Sequence, residues 1–77
     1  MKLPRNVDAP QLIRALSKMG YMVIRQTGSH IRLGKHDGSH NITIPNHNPI
    51  KVGTLHSIIK DICAVNGKDI NDFISKL

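Results

Sequence analysis

Apolar and polar positions change their spacing several times along the chain, and each change marks an element. Leu12, Ile13, Leu16 and Met19 fall on one face of a helix. Asp8 precedes them with Gln11 three residues on, the signature of a capped helix start, and Pro10 is tolerated in the first turn because its missing N–H has no intrahelical partner. Gly20 ends this helix. The stretch 21–27, Tyr-Met-Val-Ile-Arg-Gln-Thr, is rich in strand formers, and Gly28-Ser29 interrupts it. His30-Ile31-Arg32-Leu33 alternates polar with apolar, as does His40-Asn41-Ile42-Thr43-Ile44. Between them, 35–39 reads as a turn built on Asp37-Gly38, and Pro45 stops the third strand. After a loop holding Pro45 and Pro49, a second helix starts between Pro49 and Thr54, with Leu55, Ile58, Ile59 and Ile62 as its apolar stripe and Asn66-Gly67 as its end. Ile70, Phe73, Ile74 and Leu77 predict a short last helix, with Asn71 as its cap, while residues 1–7 read as a loosely held arm.

Two successive hairpins make a three-stranded antiparallel sheet. Such a sheet buries one face and needs a cover, which two singly striped helices supply. The expected fold is α+β: helices on one face, an open sheet face on the other, and the order α-β-β-β-α with a short C-terminal helix. That is the order of elements in double-stranded-RNA-binding domains. With 77 residues the chain is expected to form one domain, 1–77.

Charge changes the picture next. Eleven Lys and Arg against five Asp and Glu give a formal charge of +6, which on so small a body points to nucleic acid, an acidic protein partner, or both. Tyr21 and Phe73 are the only large aromatics, which argues against a base-stacking platform. Cys63 is the sole cysteine, adjoins the second helix's stripe and cannot form an internal disulfide. With no long apolar run and no apolar segment after Met1-Lys2-Leu3-Pro4, neither a membrane span nor a signal peptide is expected, and a reducing cytoplasm fits best.

Candidate chemistry centres on a tripeptide that occurs twice. Gly28-Ser29-His30 and Gly38-Ser39-His40 differ in strand parity. With Ile31 and Leu33 facing the core, His30 and Arg32 must face the open side, near Arg25 of the neighbouring strand. Imidazole is the side chain suited to proton transfer near neutral pH. His40 shares parity with Ile42 and Ile44, so it points to the helix side at the rim, and its Gly-Ser belongs to a turn. Five histidines invite a zinc reading, with His36 and His40 flanking one turn, but structural zinc sites usually draw on cysteines and Cys63 packs in a core, so no metal is expected. Lys51 and the start of the second helix near Gly53-Thr54 are further candidates for holding phosphate. His56 and Lys60, one helical turn apart, lie off the apolar stripe.

Three stretches carry a family resemblance. Residues 20–30, Gly-Tyr-Met-Val-Ile-Arg-Gln-Thr-Gly-Ser-His, resemble the region around the catalytic histidine of the HicA toxin ribonucleases. Ile42-Thr43-Ile44-Pro45-Asn46-His47 is similar to that family's third strand and loop, and residues 51–60 to its second-helix motif. The resemblance implies a double-stranded-RNA-binding-like fold, metal-independent cleavage of mRNA without a cofactor, His30 as the catalytic residue, and neutralisation by a HicB-type antitoxin. Arg25, Ser29, Arg32, Lys51 and Thr54 are the expected RNA contacts. A non-catalytic module that grips duplex RNA is the competing expectation.

Overall fold

A computed structural model describes residues 6–77. The elements follow the order α1 (Ala9–Ser17), β1 (Tyr21–Thr27), β2 (His30–Lys35), β3 (Asn41–Pro45), α2 (Val52–Asn66) and α3 (Ile70–Ser75). The three strands form one antiparallel sheet in the order β1-β2-β3. The α+β architecture expected from periodicity is therefore the one observed, as a slab of 30 × 28 × 17 Å.

The termini of the helices follow local chemistry. The Asp8 carboxylate accepts from the Gln11 backbone N–H at 2.9 Å, satisfying one of the free donors of the first turn of α1. At the end of α2, Gly67 takes φ +63°, a left-handed conformation that costs other residues about 1 kcal/mol or more. Two local readings are corrected. The cap of α3 is Asp69, not Asn71: its carboxylate accepts from the Asn71 backbone N–H at 3.3 Å, because an acceptor must precede the first turn to reach its donors. The expected loose arm covers residues 1–7, of which 1–5 lie outside the described residues. Val7, however, is 1% exposed, and its carbonyl accepts from the Ile50 N–H at 2.8 Å. Burial of Val7 and Ile50 together fixes the approach to α1 and the loop before α2 at once.

One core lies between sheet and helices. Ile31, Leu33, Ile42 and Ile44 enter it from the sheet, Leu12 and Leu16 from α1, Leu55, Ile58, Ile59 and Ile62 from α2, and Phe73 from α3. Every apolar position read as inward from strand alternation is buried. Ile13, Met19, Ile70, Ile74 and Leu77 are partly buried at its margin. No helix among the described residues is long and apolar enough to cross a membrane.

Candidate active site on the open sheet face

Register places the candidate side chains. Across the sheet, Arg25 stands opposite Arg32, and Arg32 opposite Thr43. Two residues along β2, His30 stands between Thr27 on β1 and Pro45 on β3. These two rows lie on the face opposite Ile31 and Leu33, since alternate residues of a strand point to opposite sides. Arg25, Thr27, His30, Arg32 and Thr43 line one shallow cleft of about 190 Å³. All five are exposed.

A bulge in β1 determines which residues join that cleft. Val23 pairs with Leu33, but the next pair is Arg25 with Arg32, so Ile24 is an extra residue in β1. Had the pairing run on regularly from Val23, Arg25 would oppose Ile31 and turn toward the core side. Two residues against one reset the parity, as β-bulges do. The same reset brings Thr27 opposite His30 and leaves a two-residue turn, Gly28-Ser29, in which Gly28 has φ +56°. Ile24 itself lies over Gly34 on β2: a Cβ on Gly34 would collide with Ile24 Cδ1 and Asn41 Oδ1. Gly34 is buried although it faces the open side.

The open face therefore changes character along its length. Met22 and the bulged Ile24, both about half exposed, flank Gly34 at one end, the two guanidinium groups occupy the middle, and His30 stands at the other end. Ser29 is in the turn beside His30, and its carbonyl accepts from the Asn46 N–H at 2.6 Å, tying that turn to the loop before α2. Ser29, Lys51 and Thr54 are exposed, but none of them lines the cleft. Lys51 is the N-cap of α2 and makes no side-chain capping bond. Thr27 and Thr43 are the two lining residues that sequence reading passed over. Thr43 had a usable signal, since it sits between two inward isoleucines.

His40 has other work. Its Nδ1 lies 2.6 Å from the Tyr21 hydroxyl and its Nε2 3.2 Å from an Asp61 carboxylate oxygen on α2. Asn66 donates to the same hydroxyl at 3.1 Å and to the Ile62 carbonyl at 2.8 Å, and Lys35 donates to the Asn66 carbonyl oxygen. Since Tyr21 Oη accepts from Asn66, it is assigned as donor to His40 Nδ1, which leaves the Nε2 proton for Asp61. The rim position expected of His40 is observed, with both ring nitrogens engaged. Among the described residues no three His, Cys, Asp or Glu side chains converge to hold a metal ion. His56 is half-buried and Lys60 exposed, on α2 and away from the cleft lining.

No curated protein and no solved structure matches the chain significantly. Residues 9–62, from the start of α1 to within α2, match the family model described as HicA toxin of bacterial toxin–antitoxin systems.

Proposed function

The chain belongs to the HicA toxin family, and from that premise we propose that it is a cytoplasmic endoribonuclease that cuts mRNA without a metal, through His30. The observation that carries this reading is an exposed imidazole in a cleft shared with two guanidinium groups, Arg25 and Arg32. RNA brings its own nucleophile. The ribose 2′-oxygen bonds to the adjacent phosphorus as the bond from phosphorus to the 5′-oxygen breaks. The 2′-hydroxyl loses its proton and the leaving oxygen gains one. His30 takes the first proton or gives the second. Arg25 and Arg32 stabilise the charge that builds on the phosphoryl oxygens, and bidentate guanidinium contacts suit that geometry. Products end in a cyclic phosphate and a 5′-hydroxyl.

Ser29, Lys51 and Thr54 are assigned to the RNA backbone flanking the cut. Ser29 adjoins His30 in the chain, and the first N–H groups of α2 near Thr54 are free of intrahelical partners, a favourable environment for a phosphate. A HicB-type antitoxin that covers His30 is the neutralising partner in this reading.

The test is cleavage of purified RNA in EDTA by wild type and His30→Ala. Wild type is expected to cut and to leave cyclic phosphate ends, while the variant loses at least about 100-fold in rate, the scale of general acid–base catalysis. The variant should keep its fold and its RNA affinity. A variant that cuts normally removes His30 from the chemistry. A wild-type protein that binds duplex RNA and never cuts it establishes the alternative, a non-catalytic RNA-binding module.

A further inference from the structure

A second cleft, of about 200 Å³, lies between the C-terminal end of α1 and α3 and shares no residue with the His30 cleft. Ala15, Met19 and Phe73 form its apolar floor. Lys18, Lys68 and Lys76 stand around it with one carboxylate, Asp72, which pairs with Lys76 at 3.3 Å. Most of this cleft's lining comes from residues beyond the segment that matches the family: Lys68, Asp72, Phe73 and Lys76 all follow residue 62.

We propose that this cleft is a docking site for an acidic peptide segment of a protein partner, anchored by one bulky apolar side chain. Size selects the anchor. Small-molecule pockets usually span about 300–1,000 Å³, whereas an apolar cavity of about 150 Å³ already admits a benzene ring. Room for one leucine or phenylalanine side chain is what the cleft offers. Charge selects the flanks: three ammonium groups against one carboxylate favour glutamate or aspartate on either side of the anchor. An apolar anchor seated in a pocket with a polar rim is the usual core of a protein contact. Nucleic acid fits less well. Phe73 is 5% exposed, so it closes the floor of the cleft and presents no free ring face for a base to stack on.

The probe is a synthetic nine-residue peptide of glutamates with a central leucine, titrated into the isotope-labelled full chain and followed by amide chemical shifts. Saturable binding is expected, with the largest shifts at Lys18, Met19, Lys68 and Phe73. Replacing the peptide's leucine by serine should weaken binding at least about tenfold. Lys18→Glu combined with Lys68→Glu should abolish it; both side chains are exposed, so that variant folds. Shifts centred on Arg25 and Arg32, equal binding of the serine peptide, or no saturation at millimolar peptide each overturn the proposal. So does a short single-stranded RNA that moves the same amides while the peptide does not. The experiment is independent of whether His30 cuts RNA.

Discussion

Gly-Ser precedes both His30 and His40, and the partners of each ring separate them. At His40, the Tyr21 hydroxyl and the Asp61 carboxylate hold the imidazole between β1 and α2. Tyr21 is 1% exposed, so its hydroxyl needs His40 and Asn66 as partners, whereas Asp61 is 56% exposed in its side chain and its bond to His40 contributes little. Tyr21→Phe keeps the packing, removes the donor to Nδ1 and takes one of two acceptors from the Asn66 amide, which keeps the Ile62 carbonyl. It should cost about 1–2 kcal/mol in denaturant unfolding, while RNA cleavage per folded molecule stays at the wild-type level. A loss of cleavage without loss of stability would tie this network to the proposed active site instead. Residue chemistry also places Cys63. Burial, with Asp69 and Asp72 adding to it, pushes its thiol pKa up. The folded protein thus holds this proton more tightly than the unfolded chain, so its contribution to stability is full at neutral pH. It fades as pH rises past the unfolded thiol's value, about 8.5.

Among the elements, β1 carries the decisive irregularity. Its bulge supplies one residue more than the partner strand can match, and that residue, Ile24, is 56% exposed. Deleting Ile24 would turn the two-against-one pairing into a regular ladder with Val23 still opposite Leu33 and Arg25 still opposite Arg32. The deletion is expected to fold and to retain cleavage within about tenfold of wild type, because each cleft residue keeps its partner across the sheet. Deleting Gln26 instead would put Thr27 out of register with His30, and cleavage should drop well below that of the Ile24 deletion. Equal behaviour of the two deletions in a cleavage assay and by circular dichroism would contradict this account of the strand.

At the scale of the whole molecule, the proposed function makes a prediction from charge: with a net charge of +6 on a thin slab, association with RNA would be a long-range electrostatic event. The logarithm of RNA affinity should fall linearly with the logarithm of salt. Arg25→Ala and Arg32→Ala should each lower that slope by about one contact. A slope unchanged in both variants would remove these arginines from the phosphate path. The single core also sets the reactivity of Cys63, which is 3% exposed on the inner side of α2. At pH 8 a disulfide reagent is expected to modify it only at the rate of unfolding, and fast reaction in the native protein would show a looser core than this one.

Sequence periodicity alone determined the element order, the inward positions and the outward direction of His30 and Arg32, because a strand's alternation and a helix's repeat are local properties of the backbone. The family resemblance, too, rests on residues that can be read in line. What the sequence could not carry was register. The bulge at Ile24, the row of Arg25, Arg32 and Thr43, the pairing of Val7 with Ile50, and the wiring of His40 to Tyr21 and Asp61 each join residues that are distant in the chain or depend on a one-residue offset. A short polar stretch gives no local preference for one register over the next, so only packing of the whole sheet against its helices decides between them.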